Sequence, residues 1–185
     1  MPWVDVDFLG PTATRDSLRA IAAHFDAEVG QRVEALISAQ AQQTEMLLAA
    51  ARTRLAGRLY FSFGALHPRE MRVYNDFGIR AGSILQGWPD KNGHWQMPAT
   101  IRRYQEMSPN QVEELLQRVQ PDLVEGLGQD SPAFHKQGFA IIDEQSRAEL
   151  SRSSIGFKGT SQLASVFLKL IDSPVRSLLH APWLP

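Results

Sequence analysis

The sequence contains no cysteine among its 185 residues. Disulfide bonds, thiolate nucleophiles and cysteine-based zinc sites are therefore excluded for this stretch of chain. Long apolar runs are also missing, since nothing approaches the roughly 20 residues that a membrane span needs. The first residues, MPWVDVDFLG, lack the basic start and apolar core of a signal peptide. These absences predict a cytoplasmic protein that does not contact a membrane.

Recognisable catalytic and metal-binding motifs are absent too. The serine motif G-x-S-x-G of many hydrolases does not occur, and no two of the five histidines have the spacing of a metal site. The net charge of −1 provides no general attraction for nucleic acid. We therefore predict no metal and no cofactor, and a nucleic-acid partner is an alternative that the charge disfavours.

What is present has the composition of an ordinary globular protein. Hydrophobic residues make up 43% and charged residues 21% of the chain, which predicts a single domain over residues 1–185. We divide it into an N-terminal strand and long helix (1–56), a basic, aromatic, loop-rich segment (57–106) and a helical segment (107–185). An N-terminal region rich in Ala, Gln and Arg suggests a bacterial source.

The N-terminal segment is dominated by helical periodicity. WVDVDF alternates as a strand would, and Thr14 is a candidate N-cap. From Ser17 to Ala56 there is no proline, and apolar residues recur at spacings of three and four. This pattern predicts either one long amphipathic helix, which we favour, or a hairpin that breaks at the weakly apolar stretch SAQAQQTE. A single helix of about 60 Å would exceed one small domain, so we expect self-association through residues 17–56.

The rest of the chain predicts a small β-element and C-terminal helices. GRLYFSFG and GFAIID are typical of buried strands, and SPNQVEELLQRVQ has a complete capping box before its apolar face. Residues 161–171 place apolar side chains on one helical face, with Phe167 at its centre. The fold class predicted is α+β and mainly helical. The lack of strict strand–helix alternation argues against a doubly wound sheet.

The middle segment carries the features expected of a binding site. Residues 58–106 hold seven basic and four acidic residues, a local charge of +3, together with all three tyrosines and two tryptophans. Arginine makes paired hydrogen bonds to phosphate or carboxylate, and aromatic faces stack on flat groups. The candidate partner- or ligand-binding residues are Arg69, Arg72, Tyr74, Arg80, Trp88, Lys91, Trp95, Arg102 and Arg103. The alternative is that the aromatic residues are core and the arginines are solvated.

Two weaker candidates complete the set of sites. His94 follows the turn sequence DKNG and is the only candidate acid or base that we name. GFKGTS, before the last long helix, does not match a phosphate-binding P-loop, because Lys158 precedes the second glycine. Lys158, Thr160 and Ser161 are a weak anion site, and we favour a simple helix cap by Thr160 or Ser161 after a turn at Gly159.

These observations favour a non-catalytic bacterial binding or regulatory protein that contacts a partner protein and forms a homodimer. The alternative is an enzyme that acts on a phosphorylated or nucleic-acid substrate through the basic, aromatic segment. Under either hypothesis, binding depends on the middle segment and not on GFKGTS. Arg72→Ala and Trp95→Ala are then expected to weaken binding about tenfold, and Lys158→Ala to change it little.

Overall fold

The computed structural model describes residues 3–62, 68–84, 102–103, 107–125, 131–142, 146 and 155–174. Within them, the chain forms six long or medium helices and five short strands. The helices are α1 (Pro11–Ala22), α2 (Ala27–Leu55), α3 (Pro68–Asp76), α4 (Pro109–Val119), α5 (Ser131–Lys136) and α6 (Gly156–Ile171). The strands are β1 (Leu59–Ser62), β2 (Arg80–Ile84), β3 (Arg102–Arg103), β4 (Leu123–Glu125) and β5 (Ala140–Ile142). The predictions of a mainly helical protein and of a small β-element are confirmed.

The strands form one sheet in the order β3-β2-β1-β4-β5, and every neighbouring pair is parallel. Helix α3 connects β1 to β2, and α5 connects β4 to β5. This is the strand order of a doubly wound α/β sheet. Our expectation that such a sheet was disfavoured is wrong. The sheet was hard to recognise in the sequence because β3 to β5 are only two or three residues long. Strands of that length leave little periodicity in the sequence.

The sheet has a separate apolar core on each face. On one face, α2, α3 and α6 supply Leu55, Tyr74 and Phe167 to a core that includes Tyr60 of β1. On the other, α4 and α5 pack against Phe61 and the neighbouring strands. Successive residues of a strand point to opposite faces, so Tyr60 and Phe61 belong to different cores. Strands covered on both faces read as continuous apolar runs, as GRLYFSFG and GFAIID do.

The N-terminal segment is a pair of helices, not one. The chain turns at residues 23–26, and the Asp26 carboxylate caps α2 by accepting a hydrogen bond from the Val29 N–H at 3.0 Å. The helix then passes through SAQAQQTE without interruption, because the 29 residues of α2 contain no proline. The favoured single helix from Ser17 to Ala56 is therefore wrong, and so is the alternative break at SAQAQQTE. Phe25 and Leu36, placed on the apolar stripe, are exposed.

Two local predictions at the N-terminus are also wrong. Residues 3–8 form no regular strand, and the only pairing near them among the described residues is an isolated bridge from Leu9 to Ile155. Helix α1 begins at Pro11 after Gly10, whose φ of 83° suits glycine. Thr14 is therefore inside the helix, where its hydroxyl donates to the Gly10 carbonyl at 2.6 Å.

A buried aspartate joins three of the helices. Asp76, at the end of α3, accepts hydrogen bonds from the backbone N–H and the hydroxyl of Thr12 in the first turn of α1. The Asp76 carbonyl accepts a hydrogen bond from Arg52 Nε of α2 at 2.7 Å. A carboxylate at a helix N-terminus satisfies free N–H groups and complements the helix dipole. This contact fixes α1 and α2 over the face of the sheet that carries Tyr60.

Each helix in the described stretches is too short or too polar to cross a bilayer.

Helix α4 begins where the sequence predicted, with the capping box of Ser108 and Gln111 formed and Pro109 in its first turn.

Candidate functional site

Strands β1 and β4 lie side by side at the point where the winding of the sheet reverses. From β1 the chain continues outward through β2 and β3, and from β4 it continues outward to β5 on the other side. In open α/β sheets, ligands bind outside the carboxyl ends of the strands at this switch point. Ser62 ends β1, Glu125 ends β4, and the two residues pair in the sheet register. The fold therefore places two polar residues where a ligand site is expected.

The two strand ends are linked by hydrogen bonds to one carboxylate oxygen. Tyr60 OH donates to Glu125 Oε2 at 2.6 Å, and Ser62 Oγ donates to the same oxygen at 2.5 Å. Tyr60 and Ser62 share a face of β1 because they are two residues apart. The exposed fractions are 1% for Tyr60, 0% for Ser62 and 3% for Glu125. Both hydroxyl groups therefore meet at a single buried carboxylate oxygen.

Helix α3 adds a second tyrosine to this group. The ring of Tyr74 stacks on the ring of Tyr60, with centroids 4.3 Å apart and planes 24° apart. Burial raises the pKa of Tyr60 well above its ordinary value, and the neighbouring Tyr74 and Glu125 raise it further through charge and hydrogen bonding. Tyr60 therefore keeps its proton and acts as a donor. We call Tyr60, Ser62, Tyr74 and Glu125 the switch-point cluster.

The switch-point cluster holds the Glu125 carboxylate in a fixed orientation at the carboxyl ends of β1 and β4. The two hydroxyl donors compensate part of the cost of burying this polar group. Such a group suits hydrogen bonding and proton exchange with neighbouring polar groups. It does not resemble a metal site, because no group of three or more His, Cys, Asp or Glu side chains in the described ranges is arranged to hold a metal ion.

Among the predicted arginines with described side chains, Arg80 lies apart from Arg69 and Arg72. Arg69 and Arg72 lie exposed on α3, which follows the carboxyl end of β1, and Arg69 reaches Asp5 at 3.4 Å. Arg80 begins β2 at the opposite edge of the sheet, where its Nε donates to the Gly57 carbonyl at 3.2 Å. Of the predicted binding residues with described side chains, only Tyr74 enters the switch-point cluster.

The remaining candidates of the middle segment are described in part or not at all. Arg102 and Arg103 form β3 and pair with Ser83 and Ile84 at the carboxyl end of β2. Their side chains lie outside the described part of the structure. Trp88, Lys91, His94 and Trp95 also lie outside the described residues, so the predictions for them stay predictions.

The start of α6 differs from the predicted cap. The helix begins at Gly156 after Ile155, which provides no side-chain cap, so Thr160 and Ser161 are already helical. Lys158 is exposed, and Ser161 Oγ donates to the Lys158 carbonyl at 3.1 Å. Thr160 is fully buried, and its hydroxyl has no hydrogen-bond partner within the described ranges. The prediction of a cap at Thr160 or Ser161 is therefore wrong.

Ser62 and Glu125 were missed at the sequence level. Each is a polar residue that ends an apolar run, in LYFS and in LVE. A polar residue at the end of a buried parallel strand is a signal for a switch-point site. The signal was not usable, because the sequence did not reveal that β1 and β4 are neighbours.

A doubly wound α/β unit with a polar cluster at its switch point is a common frame for ligand-binding and catalytic proteins. The family model described as nitrogenase component 1 type oxidoreductase matches residues 1–172, and the chain belongs to this family.

Curated relatives agree with this family, and solved structures agree with the fold. The chain is 29% identical over 190 residues to the nitrogenase molybdenum-iron protein alpha chain of Herbaspirillum seropedicae, covering 99% of this chain and 39% of that protein. It is also 29% identical over 189 residues to the Azotobacter vinelandii protein of the same name, covering 99% and 38%. The solved structure "Nitrogenase Cp1 at pH 5" superposes with a TM-score of 0.74 at 16% identity, over 98% of this chain and 44% of that one. The chain thus spans about two fifths of these relatives.

The family assignment corrects the functional hypothesis drawn from the sequence. A non-catalytic binding or regulatory protein is wrong, because the match over residues 1–172 is to a family of oxidoreductases. The error arose from treating the lack of a local catalytic motif as a sign of a protein without catalysis. In a doubly wound fold, site residues come from the ends of strands that are distant in sequence, so no local motif is required.

Proposed function

We propose that residues 1–185 form one α/β unit of an oxidoreductase of the nitrogenase component 1 type. In this proposal, the carboxyl edge of the sheet at β1 and β4 faces the site where the substrate is reduced. The observation that carries the proposal is the family match over residues 1–172. The buried switch-point cluster supports the position of the site, because it places a hydrogen-bonded carboxylate where such folds bind ligands.

The relatives are named molybdenum-iron proteins, so the donor atoms of this chain have to be tested against such a group. Iron–sulfur clusters are held by cysteine thiolates. Residues 1–185 contain no cysteine, and the described residues contain no cluster of metal-binding side chains. The residues present do not fit a thiolate-held centre. Any such thiolates belong to chain outside these residues or to another subunit, and we assign no step to a metal here.

We further propose that the functional protein contains more than one chain. The relatives are alpha chains, a name given to one subunit of a protein with several. Surface residues that support a contact are Arg69 and Arg72, which are exposed on α3 beside the carboxyl edge of the sheet. Arginine is favoured at subunit contacts because it combines a fixed fork of donors with a long apolar stem.

In this function, residues of this chain hold the carboxyl ends of β1 and β4 in fixed positions. Tyr60 and Ser62 hold Glu125 Oε2 across the β1–β4 boundary, so the two strand ends keep a fixed separation. Reduction of a substrate consumes protons together with electrons, and a positioned carboxyl group accelerates proton transfer by about a hundredfold or more. We therefore assign Glu125 a role in proton transfer at the carboxyl ends of β1 and β4.

The test uses a complex purified without oxygen through an affinity tag on this chain. We expect the complex to contain iron and to oxidise reduced methyl viologen, with H2 as the measured product when protons are the acceptor. Glu125→Gln is expected to lower kcat without changing the subunit composition, and Glu114→Gln, an exposed residue of α4, serves as the matched control. A complex with neither iron nor viologen oxidation would overturn the proposed function. An unchanged kcat in Glu125→Gln would overturn the role of Glu125.

A further inference from the structure

The switch-point cluster has a second property that reduction chemistry does not use. The hydroxyl of Tyr60 lies 2.6 Å from Oε2 of Glu125. The exposed fraction of Tyr60 is 1%. A phenol that loses an electron also loses its proton, and the electron leaves easily only if a base is already in hydrogen-bond contact. Glu125 Oε2 is such a base, because both hydroxyl contacts have it as acceptor.

The aromatic surroundings favour a radical on the same ring. Tyr74 stacks on Tyr60, with ring centroids 4.3 Å apart. The ring of Phe167 lies 5.6 Å from Tyr74 and 5.4 Å from Phe77, so the tyrosine pair is embedded in aromatic core. Burial keeps solvent away from the ring, so a radical formed there decays slowly.

We propose that Tyr60 is a redox-active tyrosine that gives one electron to an oxidising radical, such as one derived from oxygen. The oxidant gains the electron, and the O–H bond of Tyr60 breaks as its proton passes to Oε2 of Glu125. The products are a neutral tyrosyl radical and a protonated Glu125. An electron from a thiol, which becomes a thiyl radical as it gives up its own proton to solvent, restores the phenolate oxygen, which takes the proton back from Glu125.

The remaining described residue of the cluster has a supporting part. Ser62 donates to the same oxygen of Glu125 and keeps the carboxylate in line with Tyr60 OH. A radical strong enough to oxidise tyrosine does not oxidise a serine hydroxyl. Ser62 therefore binds Glu125 Oε2 without supplying the electron in place of Tyr60. The inference goes beyond the proposed function and does not depend on it, because the tyrosine and the base that takes its proton lie within one chain.

The experiment is flash photo-oxidation of the purified chain with tris(bipyridine)ruthenium(II) and persulfate, followed by electron paramagnetic resonance. We expect a long-lived tyrosyl signal that Tyr60→Phe lowers at least about tenfold. The matched control is Tyr104→Phe, since the sequence has only three tyrosines, and this variant is expected to keep the signal. Glu125→Gln removes the base and is expected to slow radical formation by about tenfold or more.

A measurement on the unsubstituted chain keeps the test decisive if a variant fails to fold. In deuterated water, radical formation should slow measurably, because the phenolic proton moves together with the electron. Circular dichroism of each variant shows whether it is folded. The proposal is overturned if the wild-type chain gives no tyrosyl signal or no deuterium effect. It is also overturned if the signal survives in folded Tyr60→Phe or if folded Glu125→Gln forms the radical at the wild-type rate.

Discussion

Phe167 is the residue on which the core beneath α6 depends most directly. It is 1% exposed and contacts the rings of Tyr74 and Phe77, which belong to α3 and to the turn after it. The prediction that it is buried at the centre of the helical stripe is confirmed. The same ring packs against the switch-point cluster through Tyr74, so its loss affects both the core and the site.

We expect Phe167→Ala to lower the free energy of unfolding by about 3–5 kcal/mol, because it removes buried apolar area and leaves a cavity. The measurement is urea denaturation followed by circular dichroism. Ser165→Ala on the exposed face of α6 is the control and should change stability by no more than about 0.5 kcal/mol. A loss below about 1 kcal/mol for Phe167→Ala would contradict the packing described here.

Tyr60 gives a prediction at alkaline pH. Its pKa is raised in the folded chain, mainly by burial, whereas in the unfolded chain it titrates near about 10. Between those two values the unfolded state has lost a proton that the folded state retains. The stabilisation is therefore complete below pH of about 10 and is lost as the pH rises through the folded pKa.

Over that window, Tyr60→Phe should flatten the fall of unfolding free energy with pH by about 1.4 kcal/mol per pH unit, the value for one proton. Urea titrations from neutral pH into the alkaline range measure both slopes, and absorbance of tyrosinate reports the titration itself. Equal slopes in the two proteins would show that Tyr60 ionises normally in the folded chain.

At the scale of the element, α2 is unusual for its length and for how little of it is buried. Its 29 residues span about 43 Å, and only the part from Ile37 onward places side chains in the core. The N-terminal half is held to α1 by the paired contact of Arg19 with Glu34, which is exposed and contributes modestly. The start of the helix therefore depends on its own cap.

We expect Asp26→Ala to destabilise the chain by about 1 kcal/mol, because the Val29 N–H loses its hydrogen-bond acceptor. Hydrogen exchange is the more specific measurement, since amides in the first turns of α2 should lose protection before those near Leu55. The control is Asp16→Ala, an exposed position of α1, which should leave these amides unchanged. Equal protection in Asp26→Ala and wild type would mean that the cap is unimportant.

At the scale of the whole molecule, α2 retains large exposed apolar side chains. Leu36 is 48% exposed and Met46 is 68% exposed. The prediction that the chain is at least a dimer through residues 17–56 stays a prediction. Light scattering of the isolated chain at micromolar concentration tests it, with a mass above 20.7 kDa as the expected result.

Leu36→Asp and Met46→Asp should return the chain to a monomer in the same measurement, since a charge placed in an apolar contact is costly. Gln42→Asp, at another exposed position of α2, is the matched control and should leave the mass unchanged. A wild-type particle of 20.7 kDa would rule out self-association through this helix.

The sequence by itself determined the local features. These features depend on residues that lie close together in the sequence. They are the capping box at Ser108, the helical stripe around Phe167 and the buried strands at Tyr60 and Ile141. It also determined that residues 1–185 supply no thiolate, because composition alone decides this. Helix starts such as those of α1 and α6 were less predictable, since Gly10 and Ile155 hold them through tertiary contacts and not through side-chain caps.

Only the tertiary structure decided the winding of the sheet and therefore the site. Ser62 and Glu125 are 63 residues apart in the chain. Ser62 Oγ can donate a hydrogen bond to Glu125 Oε2 only because β4 pairs with β1 and not with β3. Strand neighbours are chosen by the packing of helices on both faces, which no short pattern encodes. The parallel pairing of β1 and β2 likewise separated Arg69, which lies in the first turn of α3 after the carboxyl end of β1, from Arg80, which lies at the amino end of β2.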